Sequence, residues 1–181
     1  MRSLLAANLT RLRKTNLFWG TALLHIAFGL FRVYTICDDL KYGYPAVFDD
    51  AMFTYILIEG CIMAVFIAVF LGTEYSDGAV RNKIAAGHER GAIYLANLMT
   101  AAAACCLFIA VYLLTVLMVG LPLLGGPSLS AKTILLLLAG TLATAASFCG
   151  IYTFLAMGFS SKSAACLLCL LLYFGMLTGT T

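Results

Sequence analysis

The sequence predicts an all-α protein, a polytopic transmembrane helical bundle of about five membrane helices, and three observations carry that reading. Of the 181 residues, 63% are hydrophobic and only 10% are charged. The mean hydropathy is +1.02. The apolar residues fall into separate runs of membrane-crossing length, which takes about 20 residues of helix for a hydrocarbon core of about 30 Å. A soluble domain carries roughly 25% charged residues. With so little polar surface, a soluble enzyme, a nucleic-acid-binding domain and a disordered chain are all excluded. The net charge of +3 is too small to imply a nucleic-acid partner. Seven cysteines, most of them inside apolar runs, behave as small hydrophobes rather than as a disulfide framework.

The elements follow in order, within a single transmembrane domain over residues 1–181. Residues 1–16, MRSLLAANLTRLRKTN, put Leu5, Leu9 and Leu12 on one stripe with Arg2, Arg11, Arg13 and Lys14 mostly off it. That pattern predicts an interfacial helix with leucines in the acyl chains and basic residues at the headgroups. Membrane helices are expected at 17–36, 51–71, 93–121, 133–159 and 164–181. Strands are ruled out by unbroken apolar runs such as residues 133–140, TILLLLAG. Trp19 and Tyr34 suit opposite membrane boundaries, and Arg32 is expected to snorkel to one of them.

Basic residues set the orientation. Arg2, Arg11, Arg13, Lys14, Arg81, Lys83, Arg90 and Lys162 fall on one side, against Arg32, Lys41 and Lys132 on the other. The expected arrangement is a multi-pass plasma-membrane protein with a cytoplasmic N-terminus. Asp38, Asp39, Asp49 and Asp50 then lie in the first external loop. Ala139, Ala143, Ala146 and Gly150 recur at helical spacing in the fourth span, as do Ala96, Thr100 and Ala103 in the third. Such small residues let membrane helices pack closely, within the chain or between copies.

Residues 72–94, GTEYSDGAVRNKIAAGHERGAIY, form the most charged connection, on the cytoplasmic side. Asp77 and Gly78 suit a turn. Val80, Ile84 and Ala85 then make an apolar face and Arg81, Asn82 and Lys83 a polar one, with Gly87 placed to end the helix at positive φ. This predicts a short amphipathic helix held between glycines.

Residues 70–94 resemble the signature of ABC-2 type transporter permeases, and are most similar to the branch that includes bacitracin- and lantibiotic-immunity permeases. The matching residues are Gly72, Glu74, Tyr75, Gly78, Val80, Arg81, Asn82, Lys83, Ile84, Gly87, Arg90, Ile93 and Tyr94. The sequence departs from the pattern at Ala79 and Glu89. The resemblance implies a coupling helix that seats in a groove of a separate nucleotide-binding ATPase subunit. Glu74, Tyr75, Val80, Arg81, Asn82, Lys83, Ile84 and Arg90 would be its contacts or braces. It further implies pairing with a second permease copy or a related permease. The chain carries no Gly-x-x-x-x-Gly-Lys-Ser/Thr loop to cradle phosphates, so it is expected to be no enzyme and to hold no cofactor, with hydrolysis in the partner. Family members usually have six membrane helices, so a chain ending at Gly179-Thr180-Thr181 is expected to be incomplete. A non-transporting membrane scaffold or regulatory subunit is the competing class.

Inside the spans, Glu59 lies near the middle of the second and His25 at similar depth in the first. A charge at that depth costs roughly 2.5–3.5 kcal/mol on insertion scales. Two readings stand side by side: a Glu59–His25 hydrogen bond near a translocation path, or a protonated structural Glu59 without that contact. Cys166 and Cys169, and the adjacent Cys105 and Cys106, lack the further ligands that a metal site needs.

Overall fold

The computed structural model describes residues 2–159 and 161–178, apart from the side chains of residues 56 and 76. The described residues form helices and no strand. They are α1 (Arg2–Lys14), α2 (Asn16–Lys41), α3 (Phe48–Phe53), α4 (Ile56–Ser76), α5 (Ala79–Ala85), α6 (Arg90–Leu124), α7 (Ala131–Gly158) and α8 (Lys162–Thr178). Four stretches are long and apolar enough to cross a membrane: α2, the run Phe48–Tyr75 through α3 and α4, α6, and α7. Helix α8, at 17 residues, is a shorter apolar helix of roughly 25 Å. Residues 179–181 of the fifth expected crossing lie outside the described residues.

Helix α4 sits at the centre. Met63, Ala64, Phe66, Ile67, Ala68, Phe70 and Leu71 are buried on nearly every side of it, and it packs against α7 and α8, while α6 packs against α2 and α7. Helix α8 comes close because residue 60 has no side chain. A Cβ there would lie 2.6 Å from the Tyr173 ring. Helix α6 is about 52 Å long, far beyond a bilayer core of about 30 Å. Pro122 removes a donor in its last turn and Gly125, at φ +83°, ends it.

Two expectations need correction. The second crossing is not one regular helix: at Thr54–Tyr55 the bonding tightens, with Leu57 N–H donating to Thr54 O at 3.3 Å. No proline or glycine marks the place. The Thr54 hydroxyl donates back to Asp50 O at 2.5 Å, a bond that bends helices. The Arg32 guanidinium donates to that same hydroxyl at 3.2 Å. On α1 the stripe packed into the protein is Leu4, Asn8 and Leu12, so of the three leucines expected in the acyl chains Leu12 turns inward instead. Leu12 joins the protein core, Leu9 stays exposed, and α1 packs on α6. At the α1–α2 corner, the Trp19 indole N–H donates to Arg13 O at 2.9 Å, and its ring lies edge-on to Phe18.

At the end of the bundle away from α5, Asp49 is buried rather than free in a loop. Its Oδ2 accepts from Ser128 N–H at 2.8 Å, from Leu129 N–H at 3.2 Å and from the Ser128 hydroxyl. The carboxylate thereby ties the α6–α7 connection down onto α3.

Candidate functional site

The turn into α5 and the turn out of it are both built by glycine. Gly78 caps its N-terminus at φ +70° and Gly87 leaves its C-terminus at φ +82°. At the C-terminus Gly87 N–H donates to Ile84 O and His88 N–H to Lys83 O, the paired bonds of a Schellman motif. The short amphipathic helix expected between glycines is thus present over Ala79–Ala85. Its apolar face is shallower than the sequence implies. Val80 is half-buried, Ile84 is 41% exposed and Ala85 is exposed.

What holds α5 is a ring of polar side chains. Lys83 Nζ donates to Glu74 Oε1 at 2.6 Å and to Asn8 Oδ1 at 2.9 Å. Asn8 Nδ2 donates to Asn97 Oδ1 at 2.6 Å, and Asn97 Nδ2 donates to Glu74 Oε2 at 3.0 Å. The direction of this ring is forced: lysine can only donate and a carboxylate can only accept, so both asparagines must relay the same way. Arg11 adds a second cation, with Nη1 2.5 Å from Glu74 Oε1 and Nη2 donating to Phe70 O at 2.9 Å. Its guanidinium also lies over the Phe70 ring, 4.2 Å from the centroid. Burial pushes the Arg11 guanidinium down from its ordinary value, and Glu74 and Asp77 oppose that shift. It remains a cation.

Glu74, Asn8 and Asn97 are all at least 99% buried, so this is an interior network. Five of its groups come from α1, α4, α5 and α6, and Asn97 Nδ2 also reaches Met157 Sδ on α7 at 3.6 Å. The Tyr75 hydroxyl donates to Met157 O at 2.8 Å. Of the residues expected at this site, Glu74, Tyr75 and Lys83 therefore face inward. Arg81, Asn82 and Arg90 are exposed. Sequence reasoning missed Asn8, Arg11 and Asn97. Arg11 was expected at lipid headgroups, yet the buried carboxylate draws it inward. Asn97 had a usable signal, as a polar residue among the apolar residues at the start of α6, where buried polar groups need partners.

Beside this network a cavity of about 680 Å³ opens between α5 and the ends of α4, α6 and α7. Its walls include Tyr75, Arg81, Ile84, Arg90, Ile93 and Met157. Val80 contributes as well.

The second polar cluster lies deep in the bundle. His25 Nε2 is 3.0 Å from Glu59 Oε2, and His25 Nδ1 is 2.6 Å from Thr21 O. A carbonyl only accepts, so Nδ1 carries a proton. Tyr55 donates its hydroxyl to Glu59 Oε2, and Cys105 Sγ lies 3.4 Å from Oε1. Phe108 stacks on the imidazole at a centroid distance of 5.0 Å. The proton shared between His25 and Glu59 leaves the pair neutral overall on whichever side it sits, which lowers the cost of burying it. His25 is 0% and Glu59 3% exposed, so in this conformation the two face each other rather than an open path.

No family model, no curated protein and no solved structure matches the chain.

Proposed function

We propose that the chain is the membrane-spanning permease subunit of an ATP-binding-cassette exporter, multi-pass in the plasma membrane with its N-terminus in the cytoplasm. In this reading α5 is the coupling helix, and a separate nucleotide-binding subunit grips it. The observation that carries the reading is the division of labour on α5. Lys83 faces inward and bonds Asn8 on α1 and Glu74 on α4, with Asn97 of α6 closing the ring, while Arg81, Asn82 and Ile84 are exposed, Arg81 and Ile84 at the wall of the adjoining cavity. A helix that transmits a push needs both sides: a firm attachment behind and a free surface in front. Closure of the ATPase dimer would bias the bundle between two arrangements, moving α4 and α6 together through the ring. The exposed Ala139, Ala143 and Ala146 on α7 offer a close-packing face for a second permease copy. Glu59 and His25 would serve a translocation path only in an arrangement that separates them.

The test is co-purification of the tagged chain from membranes of its own cells, with the retained proteins identified by mass spectrometry. A nucleotide-binding subunit is expected with the wild type. Arg81→Glu, which alters the free surface and leaves the ring alone, is expected to reduce its recovery about tenfold. Absence of any such subunit, or undiminished recovery with Arg81→Glu, would remove the coupling role and leave the scaffold reading.

A further inference from the structure

We propose that the cavity between α5 and the ends of α4, α6 and α7 binds the phosphate headgroup of an anionic phospholipid. The proposal does not rest on the ATPase reading.

The two halves of the wall point to this ligand. Arg81 on α5 and Arg90 at the start of α6 both line the cavity, one from each of two elements. Neither makes an ion pair among the described residues, whereas Arg11 and Lys83 of the neighbouring ring are both committed to Glu74. Glu74 is turned away into the ring, and no carboxylate is among the described wall residues. Planar guanidinium groups pair with phosphate oxygens two at a time, which suits a phosphodiester better than a point charge would.

The other half of the wall is apolar: Val80, Ile84, Ile93 and Met157. An inorganic phosphate gains nothing from such a surface, and it would occupy a small part of about 680 Å³. A lipid matches both halves, with its headgroup on the arginines and the first carbons of its chains against the aliphatic wall. The surface beyond the cavity continues the match. On α7, Phe154 lies one turn from Met157 toward the middle of the helix and is 69% exposed. Basic pockets between membrane helices hold anionic headgroups by this combination of charge and adjoining hydrocarbon.

The experiment uses the whole chain, purified without a nucleotide-binding subunit. It is placed in nanodiscs of phosphatidylcholine containing a minor fraction of phosphatidylglycerol, and retained lipid is read by native mass spectrometry. Phosphatidylglycerol is expected to stay bound in preference to phosphatidylcholine. The double variant Arg81→Gln/Arg90→Gln should lower its retention about tenfold. Ile84→Trp, which keeps both guanidinium groups but fills the mouth, should lower it as well. Excess inorganic phosphate should leave the lipid in place. Equal retention of the two lipids would overturn the proposal, as would retention that survives either variant. Displacement by inorganic phosphate would show a free-anion site instead. Helical signal and elution position are read for each variant, and where a variant loses them the two wild-type measurements decide alone.

Discussion

Glu59 shows how one acidic residue can be housed in the middle of an apolar bundle. Its two oxygens meet a histidine from α2, a tyrosine hydroxyl one turn away and a thiol from α6. Replacing it with leucine strands those donors, and an unmet buried polar group costs about 1–3 kcal/mol. Glu59→Leu is therefore expected to lower the melting temperature in detergent clearly, while Glu59→Gln, which keeps an acceptor oxygen, stays closer to the wild type. Equal melting of both variants with the wild type would mean that the cluster contributes nothing to stability. The pairing with His25 was open to sequence reasoning because both residues interrupt apolar helices at matching depth. The contributions of Tyr55 and Cys105 were not, since either side chain packs equally well as a hydrophobe.

Among the elements, the spans were the most legible part. Four of the five expected crossings fall on stretches long and apolar enough to span a membrane, and the fifth falls on the shorter apolar helix α8; long apolar runs leave the backbone no alternative in lipid. The boundaries move by a few residues, and the irregularity at Thr54–Tyr55 escaped because no proline or glycine marks it. On α1 the protein-facing stripe was not foreseen, and Leu12 belongs to it rather than to the lipid side. With leucines at 4, 5, 9 and 12, two stripes are almost equally apolar, and the one containing Asn8 prevails because its amide completes the ring. That ring was invisible in the sequence, as its members stand at 8, 74, 83 and 97. Breaking it should undock α1 and α5 from the bundle together. Glu74→Gln leaves Arg11 and Lys83 without their counter-charge, at an expected cost of about 3 kcal/mol. The readout is thermal melting in detergent, with protease access to residues 79–90 measured in parallel. An unchanged melting curve would show that the two cations find other partners.

At the scale of the whole molecule, the bundle has two unlike ends. One is closed by Asp49 holding the α6–α7 connection. The other carries α5, the ring and the cavity, together with most of the basic residues. The excess of Lys and Arg predicts that this second end faces the cytoplasm. Asn82→Cys, at an exposed site on α5, should resist a membrane-impermeant thiol reagent in intact cells and react once the cells are opened. The native seven-cysteine chain serves as the background. Labelling from outside would invert the topology and take the exporter reading with it. Charge asymmetry was readable along the chain, but the cavity was not, because its walls come from four helices that only tertiary packing brings together.

The chain contains one tryptophan, and it sits on the corner where α1 turns into α2. Its indole is bound to the carbonyl of Arg13, two residues along from the arginine that clasps Glu74. Light emitted by this protein on ultraviolet excitation at the indole band thus originates at a single address. Any event that lifts the amino-terminal segment off the bundle should change its colour and its quenching, so the molecule carries its own optical gauge of that movement without an added dye.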